Sequence, residues 1–322
     1  MRGHVALAAG ALLLTGTAIV PASAAESLAA PEAATASGFK LTVDQHTIDG
    51  EVGSVIAPPG DTLQVAATAT PSQAPLALHA GPGLNARPMG ARHWRVDVEH
   101  TPGVHALVAR DHATGARQPV NVFVPQSFDP SQRQIDGYRI GQYELTPRHG
   151  NPIYDPPTAL LRIDRDDVDA RLSPDFTIGQ FLCHQQPQQW PKFALVRPAL
   201  VAKLETILDA LREKGIEADT LTVMSGYRTP QYNAAIGNTT VYSRHLYGGA
   251  ADIYVDTNHD DEMDDLDGNG RIDIGDAQWL AQLVETVDAT HPRFAGGLSA
   301  YPANAEHGPF VHVDVRGTAV RW

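Results

Sequence analysis

From Phe39 to about Val124 the hydrophobic positions fall in short runs: "FKLTV", "TLQVAATA", "HWRVDVEH", "HALVARD" and "VNVFV". Each run alternates with polar residues or carries β-branched ones, and Pro and Gly stand between them. That pattern predicts short strands joined by turns, and so a small all-β domain of immunoglobulin-like sandwich type over residues 39–125. Residues 126–175 keep neither a period of two nor one of 3.6. They are rich in Pro, Asp and Arg and are expected to connect to the C-terminal part of the chain and wrap it.

A helical period begins at Pro198, which suits a first helical turn. Leu200, Leu204, Ile207, Leu208 and Leu211 make one apolar stripe, and Gly215 after "REK" is the stop signal. "TLTVMSGYR" reads as a strand entering a turn, Thr229-Pro230 caps a short helix "TPQYNAAIG", and "PFVHVDV" is a final strand. Trp279, Leu280, Leu283, Val284 and Val287 form the apolar side of a second long helix. Helices and strands mix without βαβ alternation, so residues 176–322 are expected to form an α+β domain.

The first residues change the picture of where the protein works. One arginine precedes an apolar run of about fifteen residues, followed by Ala22-Ser23-Ala24. This is signal-peptide anatomy, with cleavage expected near residue 25, and the run is short of the ~20 residues of a membrane span. Residues 26–38 are Ala/Ser/Pro-rich and read as a linker. No later segment is long and apolar enough to cross a bilayer. The expectation is an exported protein, periplasmic or secreted. Its single cysteine, Cys183, excludes an internal disulfide and sits among apolar residues as a buried thiol. The formal charge of −13 argues against nucleic acid or anionic lipid as a partner. Nothing in the pattern sets an oligomeric state.

Much of that charge is local. Residues 256–276 hold nine acids against one base, Arg271. From Asp265 they fit a calcium loop: Asp265, Asp267, Asn269, Arg271 (through its carbonyl), Asp273 and Asp276 fall at positions 1, 3, 5, 7, 9 and 12. Gly270 at position 6 suits the sharp turn and Ile272 at position 8 packs the loop. Position 12 is Asp where Glu is usual, so a dockerin-like loop is the nearer comparison. Upstream, Asp256, Asn258, Asp260, Asp264 and Asp267 repeat the 1-3-5-9-12 spacing, with Asp261 in the glycine's place. They make a second, overlapping calcium set. A structural rather than sensing role for Ca2+ is expected, because the loop is embedded between a strand and a helix; the alternative is a solvated acidic loop.

Just before this run stand His245, in the turn "HLYGG", and Asp252, in the strand-like "AADIYV". A turn folding back on its following strand brings residues seven apart to one point. On the last strand Val311, Val313 and Val315 take one face, leaving Phe310, His312 and Asp314 on the other. Two histidines and a carboxylate with a fourth position open is a catalytic zinc set, able to activate water and polarise a carbonyl. Packed or exposed histidines are the plainer reading, and hold for the scattered His46, His79, His93, His100, His105 and His112 of the β-domain.

The string "MSGYRTPQYNAAIG…SRHLYGGAADIYV…FVHVDV" closely resembles the zinc D-Ala-D-Ala carboxypeptidase and murein endopeptidase family, over roughly residues 176–322. That family belongs to the superfamily of lysostaphin, D-Ala-D-Ala metallopeptidases and sonic hedgehog. The resemblance implies that fold, Zn2+ on His245, Asp252 and His312, and peptidoglycan stem peptides or crosslinks as substrate. It places Arg228 at the substrate or the developing oxyanion, with a structural ion pair as the alternative, and leaves Ser243 to order the turn. The general base departs from the family pattern. The first position of His-x-His is Phe310, and the first of Glu-x-x-His is Pro309. Glu306, six before His312 as in the hedgehog domain, is the first candidate. Asp314 is the next, or else an orienting partner for an imidazole, and His307 remains. The activity expected is a murein endopeptidase; the alternatives are a D-Ala-D-Ala carboxypeptidase and a catalytically lapsed, metal-stabilised wall-binding protein.

Overall fold

The computed structural model describes residues 38–48, 52–68 and 75–322, so the signal peptide expected at 1–25 and all but the last residue of the linker lie outside the described residues. The first strands are β1 (Leu41–Val43), β2 (His46–Ile48), β3 (Gly53–Ile56), β4 (Thr62–Ala67) and β5 (Leu76–Ala80). They are followed by β6 (Leu84–Gly90), β7 (His93–Val98), β8 (Gly103–Asp111) and β9 (Arg117–Ser127). Strands β2-β1-β4-β7-β6 form one sheet. Its inward positions Leu41, Val65 and Val96 share a core with Leu107, Val120 and Val122 of a second sheet. Period-two alternation thus does what it predicts, burying one face of each sheet against the other.

The second sheet crosses the domain boundary expected at residue 125. The first part of β9 pairs in parallel with β3, and its end pairs with β12 (Ala159–Ile163), Ala159 opposite Ser127. Strand β12 then pairs with β13 (Lys192–Ala194), and the path runs β5-β8-β9-β12-β13. Residues 126–175 are therefore no mere connection. They also supply the hairpin β10 (Gln134–Ile135) and β11 (Tyr138–Arg139) and most of an aromatic cluster that includes Tyr138, Tyr143 and Tyr154. Tyr143 Oη lies 2.7 Å from Tyr227 Oη and donates to the Leu246 carbonyl at 3.1 Å, so this segment braces the turn that carries His245.

The C-terminal domain holds α1 (Pro198–Glu213), β14 (Thr222–Ser225), α2 (Pro230–Ala235) and β15 (Ala250–Tyr254). It is completed by α3 (Ile274–Thr290), β16 (Gly297–Tyr301), β17 (Phe310–Asp314) and β18 (Val320–Arg321). The stripe on α1 is buried as its spacing requires, and each buried leucine contributes about 1.5–3 kcal/mol of apolar burial. The sheet order is β14-β15-β17-β16-β18. Val311 and Val313 of the central β17 join the core with α1 and α3, which turns His312 to the opposite face. Within this core Lys203 of α1 is fully buried. It pairs with Asp288 of α3 at 2.6 Å and donates to the Phe294 and Asp314 carbonyls at 3.1 and 3.2 Å, locking the end of β17 to both helices.

Candidate metal centre

Strand register places two of the three expected ligands. In the β15–β17 pair Asp252 stands directly opposite His312, and their side chains share a face. His245 arrives from the turn Arg244–Tyr247 that precedes β15. Gly248 ends that turn in the left-handed region (φ 64°), and a Cβ there would lie 2.5 Å from the Leu195 carbonyl, so only glycine reverses the chain here. His245 Nε2 is 3.2 Å from His312 Nδ1 and 3.3 Å from Asp252 Oδ1, and His312 Nδ1 is 2.8 Å from Asp252 Oδ1. All three residues are buried.

These atoms fit a cation. His245 Nδ1 faces the Gly226 carbonyl at 2.8 Å, so it carries the proton and Nε2 is left with its lone pair. His312 Nε2 faces Asp314 Oδ2 at 3.3 Å, which leaves the lone pair on Nδ1. In these tautomers two imidazole lone pairs and a carboxylate oxygen converge on one point; without a cation, a proton on His312 Nδ1 bridges to Asp252 Oδ1 at 2.8 Å. A tetrahedral zinc at ~2.0–2.1 Å from each donor needs donors about 3.3 Å apart. The observed edges of 2.8, 3.2 and 3.3 Å are close to this. The electrostatics are those of the ion-free site. Burial pushes His245 below the ordinary imidazole range, with Arg228 adding to the shift. Burial works the same way on His312, but hydrogen bonds to Asp252 and Asp314 outweigh it and raise that imidazole. Burial opposes ionisation of Asp252, yet the two histidines hold its carboxyl well below the usual range.

Asp314 is a support for this set. Its fully buried carboxylate accepts from the Gly297 and Arg316 amides at 2.8 and 3.0 Å and from Arg316 Nε at 2.9 Å, besides holding His312. These partners keep the carboxyl far below its ordinary value despite burial. The Gly296-Gly297 pair exists for it, since a Cβ on Gly296 would sit 1.7 Å from the Asp314 carbonyl oxygen. Asp314 is thus placed against His312 and is not among the residues that line the cleft. Glu306 is exposed in the loop between β16 and β17, where its amide donates to Asn304 Oδ1 at 2.7 Å, and its side chain forms no part of the cleft wall. His307 is occupied at both nitrogens, by Asn304 at 2.8 Å and by the Gly308 carbonyl at 2.8 Å. Arg228 lines the cleft and is anchored in it: Nη2 pairs with Asp252 Oδ2 and Nε donates to Ser225 Oγ at 2.7 Å.

The metal ligands lie at the base of a cleft of about 430 Å³. Its charged wall is Arg148, Arg228, Arg244 and Arg316 against the single carboxylate of Asp252. Tyr154, Tyr242, Tyr301, Phe310 and Trp322 complete much of the rest. Of these aromatic residues only Phe310 was marked by sequence spacing, and neither Arg148 nor Arg316 was named. An aromatic near a strand end reads as core, and only Arg316, two residues past Asp314, carried a signal as a strand-spaced ion pair.

In the acidic loop one carboxylate from each of Asp265, Asp267 and Asp276 comes within 4.8 Å of the others. Asp265 accepts from the amides of Gly268, Asn269 and Gly270 at 2.9, 3.1 and 2.7 Å. Asp276 is buried at the third position of α3, accepts from Leu266, Asp267 and Asp273 amides, and forms a capping box with Asp273. The short Asp arm at position 12 suits that cap. Asn269 donates to Asp267, and Asp273 is the N-cap. The carbonyl of Arg271 has no assigned partner. The upstream set is not gathered in the same way: Asp256 accepts from Asp260 and Asp261 amides, Asp264 turns to Thr257, and Asn258 donates to Asp260.

A family model described as Peptidase M15 matches residues 174–267. The match takes in Arg228, His245 and Asp252 and stops before His312, which joins the set by register alone. No curated protein matches the chain. Among solved structures, a chain from a crystal structure of a titin M10–obscurin-like 1 Ig complex is 19% identical. It covers 27% of this chain and 95% of its own at a TM-score of 0.18, a likeness too slight to bear on the fold. Residues 174–267 are thus similar to a peptidase family that uses zinc, and that similarity falls on the segment carrying two of the three convergent donors.

Proposed function

We propose that the protein is an exported zinc metallopeptidase that hydrolyses amide bonds in peptidoglycan stem peptides or their crosslinks. The observation that carries this reading is the convergence of His245 Nε2, His312 Nδ1 and Asp252 Oδ1 at the base of a cleft, with His245 and Asp252 lying in a segment similar to Peptidase M15. Zinc bound there supplies Lewis-acid polarisation of the scissile carbonyl and activation of the attacking water. The chain's own residues do the rest. Asp314 and the Gly226 carbonyl hold the two imidazoles in their metal-binding tautomers. Arg228 holds the second oxygen of Asp252, so one oxygen faces the metal. The excess of guanidinium groups over carboxylates in the cleft wall favours a peptide bearing carboxylates, as stem peptides do. The β-domain positions the enzyme on its polymer, and Ca2+ held by Asp265, Asp267 and Asp276 stiffens the loop that follows β15.

Digestion of crosslinked sacculi by the purified protein is expected to release monomeric muropeptides. The release stops with a chelator, returns with zinc, and is absent in His312→Ala. Equal release by that variant overturns the reading. Free alanine in place of monomers identifies the carboxypeptidase alternative. A specific observation favours a third reading, a metal-stabilised wall-binding protein: among the described residues no carboxylate other than Asp252 lines the cleft. Binding to sacculi without any product separates it from the other two.

A further inference from the structure

Arg228 commits Nε to Ser225 and Nη2 to Asp252, which leaves Nη1 as its donor toward the cleft it lines. We propose that the Tyr301 hydroxyl is a further oxyanion donor of this cleft, beside Arg228, and that Trp322 is its positioning residue. The inference rests on the peptidase reading above.

Register brings Tyr301 to the site. On β16, Ser299 stands opposite His312 and Tyr301 opposite Phe310, so Tyr301 shares a sheet face with Ser299 and lies diagonally next to His312. Its ring is stacked on Phe310, with centroids 4.8 Å apart and planes at 9°. Phe310 thus fixes the ring plane at the position where relatives carry a histidine. The hydroxyl is fixed separately: Trp322 Nε1 donates to Tyr301 Oη at 2.5 Å. An indole nitrogen is donor only, so the phenol does not use its own proton in that bond and keeps it for the cleft. Trp322 is held in turn by the His312 ring, 5.3 Å between centroids, and by the Arg316 guanidinium, 5.4 Å from the indole centroid. The hydroxyl is therefore tied through one indole to a metal ligand.

The other tyrosine hydroxyls of the wall are placed differently. Tyr242 donates to the Thr146 carbonyl at 2.8 Å. The Tyr154 ring is packed between Tyr242, Tyr247 and Arg244, with no contact to His312. Of the three, Tyr301 alone combines a proton to donate with a contact chain to the donor triangle. A donor held in place before reaction acts where charge develops on the carbonyl oxygen, and the phenol proton stays on its oxygen throughout.

The test uses zinc-loaded protein, a crosslinked muropeptide substrate and a phosphinate analogue of the scissile dipeptide, whose P–O⁻ mimics the oxyanion. Tyr301→Phe is expected to lower kcat by about 10²–10³-fold. KM, zinc content and product-peptide affinity stay unchanged, and phosphinate affinity measured by calorimetry falls in parallel with kcat. Trp322→Phe keeps the ring but removes Nε1–H, and is expected to lower kcat about tenfold at constant KM. The double variant is no worse than Tyr301→Phe, a coupling that a merely structural Trp322 does not produce. Tyr301→Phe with kcat and phosphinate affinity within threefold of wild type overturns the inference. Wild type that neither turns over substrate nor binds the phosphinate overturns the peptidase reading and this inference with it.

Discussion

Two regions that adjoin in the chain at Asp252 and Asp256 both gather side chains able to hold a metal, and they do so by opposite means. At the His245–Asp252–His312 set the donors are buried and come from paired strands and a tight turn, and the outer imidazole nitrogens are held by the Gly226 carbonyl and Asp314. A metal cation satisfies all three donors at once, where a proton shared by His312 and Asp252 satisfies only two. In the loop of residues 256–276 most carboxylates are exposed, and those that turn inward accept backbone amides: three on Asp265 and three on Asp276. That loop is already half-satisfied without an ion. Density of acidic residues is thus a poor guide to chemical tension; burial and the assignment of each donor are better ones.

The difference is sharpest on removing one carboxylate from each region. Asp252→Ala should abolish zinc retention through dialysis and all hydrolysis. It also leaves the largely buried Arg228 without its partner, so the metal-free protein should lose about 1–3 kcal/mol in urea titration. Full zinc content in this variant breaks the assignment. One shell further out, Asp314→Asn keeps the packing but removes the charge that orients His312. Zinc affinity should fall about 10–100-fold in a competition titration, with the fold intact by circular dichroism. Unchanged affinity means that Asp314 serves Gly297 and Arg316 alone.

The legible parts of the molecule were those with a period or a spacing. The stripe on α1 and the cap of α2 stand where the pattern put them, and so does the valine alternation of β17. For His245, Asp252 and His312 the two-glycine turn and the two-residue alternation offered a meeting point, and the family resemblance marked them as a ligand set. Strand β6 was not readable. It is an edge strand, "LNARPMG", exposed along most of its length and with no alternation to show. The pairing of β9 with β12 was equally hidden, since it joins segments over thirty residues apart through backbone bonds that leave no mark on side-chain type. The cleft wall was the least visible part. Tyr301 and Trp322 meet only because β16 and β18 run side by side beyond the metal strand. Nor could Glu306 and Asp314 be told apart as bases by spacing; their difference is one of exposure.

Withdrawing calcium tests the other side of the comparison. If the loop supports the zinc strand, a calcium-selective chelator should lower Tm by several degrees while zinc stays bound. Saturation at about a hundred times Kd is worth about 2.7 kcal/mol. Turnover should fall only a few-fold, because Asp252 is held by β-sheet register and by Arg228 as well as by the loop. In Asp265→Ala the chelator should have no further effect. A Tm and an activity both indifferent to calcium in wild type reduce the loop to a solvated acidic turn.

The smallest effect separates the two halves of the acidic loop from each other. At position 6 of the downstream half Gly270 has φ 81°, and at the equivalent upstream position Asp261 has φ 64°. Both halves thus ask for the left-handed region, but only one supplies glycine. Left-handed backbone costs most side chains about 1–2 kcal/mol, and Asp or Asn less, because their short polar arms tolerate it. Gly270→Ala should therefore destabilise the calcium-free protein by about 1 kcal/mol. Asp261→Gly removes a milder strain but adds unfolded-state entropy of about 0.5–1 kcal/mol, and the two nearly cancel. The carbonyl of Asp261 accepts from Tyr254 Oη at 3.1 Å, a bond the substitution leaves in place. Urea titration without calcium should thus show a clear loss for Gly270→Ala and almost none for Asp261→Gly. Repeating both with calcium asks which half is the site. If only the downstream half binds, the calcium-induced gain shrinks for Gly270→Ala and is untouched in Asp261→Gly; a larger gain in Asp261→Gly than in wild type would mean that the upstream half also takes an ion once its turn is relaxed.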